Sequence, residues 1–363
     1  MPATDPALAA LIDRVRAARA DKTALDIRGG GTKAFYGEAP QGEPLDLRPL
    51  AGISSYEPSE LVVTARAGTP LSELEAALAE KGQGLAFEPP RFSERGTVGG
   101  MVAAGLAGPS RPSAGGVRDH VLGATLLNGR AEVMGFGGQV MKNVAGYDVS
   151  RLLAGSMGTL GVILEVSLKV LPRPPAVATL RFELDEAEAL KRLNSWGGQP
   201  LPIHASAWWS GMLVLRLAGA SAAVQSAQGR LGGEVVDADL AAGFWTGLRD
   251  HTDEFFVGAA KAVAAGATLW RLAVPQTAAP IAAPGEHLVE WGGAQRWVVT
   301  TAPAATLREA AARAGGHATA FRGSKAAGAF TPLSASLARI HRQTKAAFDP
   351  DGVFNPGRLY PGL

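Results

Sequence analysis

Between Gly96 and Val162 the chain repeatedly sets glycine beside Thr, Ser, Arg and Asp. The clusters are Gly96-Thr97-Val98-Gly99-Gly100, Gly115-Gly116-Val117-Arg118-Asp119-His120, Lys142-Asn143-Val144-Ala145-Gly146-Tyr147-Asp148 and Gly155-Ser156-Met157-Gly158-Thr159-Leu160-Gly161-Val162. Another, Arg28-Gly29-Gly30-Gly31-Thr32-Lys33, stands upstream. Glycine has no Cβ, so successive backbone N–H groups can close on a large anion. One such cluster would read as a turn in a β domain. Several together point to a diphosphate-containing cofactor. Two common phosphate loops do not fit. There is no Gly-Lys dipeptide, which excludes a Walker A loop. Gly135-Phe136-Gly137-Gly138-Gln139-Val140 approaches Gly-x-Gly-x-x-Gly but ends on valine, which argues against a Rossmann site.

The elements that must carry these loops can be read from apolar spacing. Leu8, Leu11, Ile12 and Val15 predict a helix over 5–20, started by Asp5-Pro6. Residues 25–28 read as a strand feeding the first glycine loop. Residues 61–68 read as a second strand, and Leu71, Leu74 and Leu78 as a helix capped at Gly82. Asp148 reads as the cap of a short helix. Pro172-Arg173-Pro174-Pro175 can neither continue a helix nor pair inside a sheet, so it marks a boundary between domains at 1–173 and 174–363. Beyond it, strand, helix, hairpin about Ser210-Gly211, helix and strand give βαββαβ, a ferredoxin-like unit. Further strands are predicted at 268–274 and 288–300, the latter turning near Gly292-Gly293. Leu333, Leu337 and Ile340 predict an amphipathic helix before the C-terminus. No internal repeat is visible.

With 363 residues, 47% hydrophobic and 19% charged, the chain can fill two cores and reads as globular. Its net charge of +2 selects neither a nucleic acid nor a membrane partner. No apolar run reaches the roughly 18 residues of a membrane span. The start, Met1-Pro2-Ala3-Thr4-Asp5, does not read as a secretory signal. There is no cysteine, hence no disulfide and no thiolate-held cluster or zinc in this chain. The cytoplasm is the expected compartment, with a peripheral place at the inner membrane open if the chain joins a complex.

In order, the Arg28–Lys33 loop, Gly-Thr-Val-Gly-Gly, Val-Arg-Asp-His-Val-Leu-Gly and Gly-Ser-Met-Gly-Thr-Leu-Gly-Val-Ile resemble the FAD domain of the vanillyl-alcohol-oxidase (PCMH) type. The ending Phe348-Asp349-Pro350-Asp351-Gly352-Val353-Phe354-Asn355-Pro356-Gly357-Arg358-Leu359 is similar to the C-terminal signature of its D-2-hydroxy-acid dehydrogenase branch. Within that branch the chain is most similar to the smaller FAD-binding subunit of bacterial glycolate-oxidising complexes. The likeness is strong over 25–173 and 341–360 and diffuse between them. It implies an α+β protein, a PCMH-type two-subdomain FAD-binding domain followed by an α+β, ferredoxin-like cap.

The resemblance also implies a site. Arg28, Gly29, Gly30, Gly31, Thr32 and Lys33 would form one backbone cradle for FAD, and Thr97, Val98, Gly99 and Gly100 a second. Gly115, Gly116, Arg118 and Asp119 would reach the flavin ring and ribityl chain, although Asp119 reads equally well as a turn residue. Gly161, Val162 and Ile163 would read the adenine. Asn355 and Arg358 would return to the flavin from the tail. Members that link their flavin covalently carry a histidine in or just after the first loop. None is here, so FAD is expected to be non-covalent. Met157 stands where the family more often has Glu.

Metal-dependent members carry paired histidines and a Gly-Glu-His-Gly segment that position a divalent ion. Here His120, His204, His251, His287, His317 and His341 are scattered, and Gly285-Glu286-His287-Leu288 matches only in part. No metal site is expected, and no catalytic residue is assigned. The resemblance implies a subunit of a glycolate oxidase or dehydrogenase. Its partners would be a homologous FAD subunit, which oxidises the small 2-hydroxy acid, and an iron–sulfur subunit. Trp208-Trp209, Trp245, Trp291 and Trp297 are candidate interface aromatics, or simply core. Two alternatives stay open: a self-sufficient FAD dehydrogenase of another hydroxy acid or alcohol, and a scaffold that FAD only rigidifies.

Overall fold

The computed structural model describes residues 5–138 and 148–363, so Lys142 and Tyr147 lie outside the described residues. Helix α1 (Pro6–Asp21) starts where Asp5 accepts the Ala7 and Leu8 amides at 2.9 and 3.3 Å, and it buries Leu8, Leu11 and Val15. Strands β1 (Leu25–Arg28) and β2 (Glu43–Asp46) pair in parallel. There follow β3 (Ile53–Glu57), β4 (Val62–Arg66), α2 (Leu71–Glu80), β5 (Gln83–Gly84), α3 (Val98–Ala104), α4 (Arg111–Ala114), α5 (Val117–His120), β6 (Val121–Leu127), β7 (Val133–Gly137), α6 (Val149–Leu152), β8 (Val162–Lys169) and β9 (Leu171–Pro172). Five of these strands form an antiparallel sheet in the order β3-β4-β8-β6-β7. Strands β6 and β8 sit inside it and are buried along almost their whole length, as their near-continuous apolar runs require. Leu71, Leu74 and Leu78 of α2 join the same core. Asp148 accepts the Arg151 amide at 3.2 Å and so caps α6.

After Pro172 come β10 (Ala176–Glu183), α7 (Glu186–Gly197), β11 (Ile203–Trp209), β12 (Met212–Gly219), α8 (Ser221–Leu231), β13 (Glu234–Val235), α9 (Ala238–Asp250), α10 (Glu254–Ala264), β14 (Thr268–Ala273), β15 (Glu286–Glu290), β16 (Gln295–Thr300), α11 (Ala304–Arg313), β17 (His317–Arg322) and α12 (Ala335–Phe348). Eight strands make one sheet, ordered β13-β10-β12-β11-β15-β16-β14-β17. The first four follow the ferredoxin-like order expected from βαββαβ. The last four repeat that order from the other end: β17, β14, β16 and β15 stand as β13, β10, β12 and β11 do, and the two halves join edge to edge through β11 and β15. The repeat is topological. A loop replaces the first helix of the second half, which is why periodicity did not reveal it.

The expected C-terminal helix is present as α12, and its burial differs from its apolar spacing. Leu337 and Ile340 of α12 are 48% and 52% exposed, and the buried residue of that helix is Lys345. The helix touches the core at its far end, not along the leucine stripe. Of the tryptophans, Trp208, Trp209 and Trp291 are part-buried. Trp245 and Trp297 are buried, and the indole N–H groups of Trp208, Trp209, Trp245, Trp291 and Trp297 all donate within the chain. The large exposed apolar side chains are instead Val133, Met134, Leu152, Val177, Val235, Leu240, Val257, Leu337 and Ile340. Among the described residues no helix is long and apolar enough to cross a membrane.

The tail returns to the first core. Val353 and Phe354 are buried there, Leu25 donates to Val353 at 2.7 Å, and Asn355 donates to Leu25 at 2.9 Å. The C-terminal residues thus extend the small β1–β2 sheet that carries the first glycine loop.

Candidate cofactor site

Where β1 ends, Arg28 through Ala34 turn along one wall of a cavity of about 490 Å³. Arg95, Thr97, Gly100, Ala103, Ala104 and Met157 face them, and Asn355 and Arg358 close it from the tail. The volume lies in the range of small-molecule sites, about 300–1,000 Å³. The amides of Gly29 to Lys33 have no acceptor among the described residues. A run of unpaired N–H groups in a turn is an anion nest, and Gly31 at φ +72 supplies the left-handed residue that curls it. The glycines are dictated by space. A Cβ on Gly30 would stand 1.4 Å from the Arg95 carbonyl oxygen, and one on Gly29 would stand 2.1 Å from Thr97 Oγ1.

The charge balance favours an anion. Arg28, Lys33, Arg48, Arg95 and Arg358 line the cavity against only two carboxylates, Asp26 and Asp46. Those carboxylates are engaged, Asp26 with Arg28 and Asp46 with Arg48 at 2.7 Å. Burial pushes the Lys33 ammonium down to about 8, with Asp250 opposing the shift. The Arg358 guanidinium is buried and holds the loop from behind, donating through Nη2 to the Ala34 oxygen at 3.0 Å and the Lys33 oxygen at 3.3 Å. Its Nη1 is buried without a partner. Asn355 sits in the left-handed region at φ +42, accepts the Ile27 amide at 2.7 Å and donates to the Met157 oxygen at 2.6 Å.

Comparison with known proteins agrees with this geometry. A family model described as "FAD binding domain" matches residues 7–137. The chain is 48% identical over 354 residues, 98% of its length, to glycolate oxidase subunit GlcE of Escherichia coli, and covers 97% of that protein. It belongs to this subunit family. Its cofactor is FAD, and the family's members are FAD-dependent oxidoreductases acting on CH–OH groups. Less similar relatives are matched over less than half of the chain. D-lactate dehydrogenase of Anaerostipes hadrus is 35% identical over 40% of the chain and 30% of that protein, and glycolate oxidase subunit GlcD of Bacillus subtilis is 31% identical over 42% and 33%. The fold is that of alkyldihydroxyacetonephosphate synthase, at a TM-score of 0.66 and 14% identity over 95% of this chain and 74% of that one.

The residues present fit the diphosphate of FAD: a nest of free amides, uncompensated cations, and a buried guanidinium with an unpaired nitrogen. FAD supplies the redox chemistry when bound. The chain's own residues lining the cavity would hold it.

Not every residue expected at the site of this subunit lines the cavity. Arg28, Gly29, Gly30, Gly31, Thr32, Lys33, Thr97, Gly100, Asn355 and Arg358 do. Val98 and Gly99 lie behind it. Their amides donate to Thr69 and Ala67 at 2.9 and 2.8 Å, and a Cβ on Gly99 would stand 2.6 Å from that of Ala67. These two residues seat α3 against the turn that follows β4. Thr97 caps α3 by accepting the Gly100 amide at 3.2 Å. Gly115, Gly116, Arg118 and Asp119 are outside the cavity wall, and Asp119 accepts the Gly116 amide at 2.8 Å, the turn role weighed for it. Gly161, Val162 and Ile163 are inside the sheet, paired toward Leu126 and Leu127.

Four charged lining residues lie outside the set the resemblance implies: Asp26, Asp46, Arg48 and Arg95. Arg95 directly precedes Gly96, so its place beside a glycine cluster was the available signal. Arg48 carried none. Met157, at the family's usual Glu position, contributes a thioether to the wall and its carbonyl to Asn355. Among the described residues no group of three or more His, Cys, Asp and Glu is placed to hold a metal. His120 is bonded to the Ala114 and Lys169 oxygens, and His251 stacks on Phe256 at 3.6 Å.

Proposed function

We propose that this chain is the FAD-binding subunit of a glycolate-oxidising complex, in which glycolate is converted to glyoxylate, and that its flavin relays electrons instead of meeting glycolate directly. The single observation that carries the reading is the 48% identity to a glycolate oxidase subunit across nearly the whole chain. The packing beside the cofactor cavity supports the relay role. Where the eight-stranded sheet meets the FAD-binding half, Phe35, Phe92, Phe321, Trp297 and His251 pack ring to ring. They leave a gap of about 20 Å³, the size of a water and too small for a hydroxy acid. A cysteine-free chain cannot hold an iron–sulfur centre on thiolates, so electrons leaving this flavin pass to another molecule. The partners we infer are a homologous FAD subunit, where glycolate gives up its hydride, and an iron–sulfur subunit. The division of the chain at residue 173 into a cofactor domain and a cap belongs to the same reading.

Anaerobic glycolate added to the isolated, FAD-loaded chain should bleach the flavin slowly or not at all, with or without Zn²⁺ or Mn²⁺. Native co-purification should bring down a second flavoprotein and iron–sulfur absorbance. Rapid bleaching of the isolated chain, or a monomer recovered alone from glycolate-grown cells, would overturn the proposal.

A further inference from the structure

Lys345 is 8% exposed, yet it is a lysine in the last turn of α12. Its Nζ donates to the Asp349 carboxylate at 2.5 Å, the Phe354 oxygen at 2.6 Å and the Thr159 oxygen at 2.7 Å, so all three of its protons are used. Asp349 is 1% exposed and also accepts the amides of Val353 and Phe354 at 3.0 and 2.8 Å. A buried ion pair of this kind adds little stability over apolar residues of the same volume, because desolvation consumes the Coulombic gain. What it does provide is geometry.

The ammonium joins three segments: the end of α12, the turn at 349–354, and the 156–159 loop. Lys345 and Asp349 do not line the 490 Å³ cavity. The segments they join do. Met157 is two residues from Thr159, and Asn355 follows Phe354 directly. Asn355 then bridges Met157 to Ile27, and Arg358 grips Lys33 and Ala34. Shifting the tail against the 156–159 loop would pull both side chains off the first glycine loop.

We propose that Lys345 and Asp349 are positioning residues for FAD, setting the tail in the register that lets Asn355 and Arg358 hold the anion nest. The inference rests on FAD as the cofactor and not on the electron partner. A failed co-purification would leave it standing.

The test is FAD affinity of the apo-protein, read by quenching of free flavin fluorescence well below the apo melting temperature. The variants are Lys345→Met, Asn355→Ala and the double. Each single variant should weaken FAD binding by tenfold or more while far-UV dichroism is unchanged. The double should bind within threefold of Lys345→Met alone, because Lys345 acts through Asn355 and Arg358 together and its loss already removes what Asn355 contributes. A Lys345→Met protein that melts earlier but binds FAD within threefold of wild type would overturn the proposal, and so would fully multiplicative effects in the double. If Lys345→Met does not fold, Asp349→Asn decides. Weakening beyond threefold supports the positioning role, and any smaller change overturns it.

Discussion

Arg358 lies 3.0 Å from the main-chain oxygen of Ala34, so the end of the chain grips the loop that opens the cofactor cavity. Hydrogen bonds to charged groups are worth about 1.5–3 kcal/mol. Arg358→Met should lower FAD affinity by ~10-fold or more and the melting temperature by a few degrees. Fluorescence titration and a thermal scan check both. An unchanged affinity would refute the tail's part in the site.

Gly30→Ala sets a methyl against the Arg95 carbonyl, where no space exists. The backbone must move. FAD affinity should fall at least ~100-fold, equivalent to about 2.7 kcal/mol. Isothermal titration of the apo-protein reads this directly, and near-normal binding would show that the nest is not the anchor.

Gly99→Ala should separate fold from ligand. The added Cβ meets Ala67 in the core, not the cavity. Overpacking of this kind costs about 1–3 kcal/mol. The melting temperature of the apo-protein should drop, while FAD affinity measured below it changes little. A selective loss of affinity would return Gly99 to the site wall.

Affinity for FAD should depend on pH through Lys33. Burial lowers this lysine to about 8. For folding, the lowered value is a penalty on the charged form. It is fully present below about 8 and fades as pH rises toward the ordinary lysine range. Anion binding runs the other way: affinity is flat below about 8 and weakens above it, by at most ~10-fold per pH unit for one proton. Lys33→Gln should flatten the profile. A wild-type Kd that is constant from pH 7 to 9.5 would contradict this.

The flavin should come away on acid precipitation. Neither histidine nor cysteine lines the cavity, so no side chain there resembles the usual linkage residues. Yellow supernatant over a colourless pellet is the expected outcome. Flavin retained in the pellet would mean a covalent bond to another residue.

The local elements were legible because their signals are local. Apolar spacing at Leu71, Leu74 and Leu78, the punctuation of Ser210-Gly211, and Asp5 and Asp148 as caps all act within a few residues, and each is found where expected. A diphosphate-containing cofactor was legible from the glycine clusters, and FAD from the resemblance of their order to a known flavin domain. The Leu337 and Ile340 spacing located the helix, and both side chains are exposed because amphipathic spacing reports a face without saying what covers it.

What the amino-acid order determined alone was the diphosphate-binding character of the glycine clusters, the helices at Pro6–Asp21 and Leu71–Glu80, and the first ferredoxin-like unit. What tertiary structure decided was which of those glycines line the cavity. Gly99 and Gly100 are neighbours with the same residue type, yet one packs on Ala67 and the other lines the cavity. Only folding also brought Arg48, Arg95 and Arg358 to one anion site and buried Lys345 behind it. Contacts made across more than three hundred residues depend on where the sheet carries each strand end, and no spacing rule along the chain contains that distance.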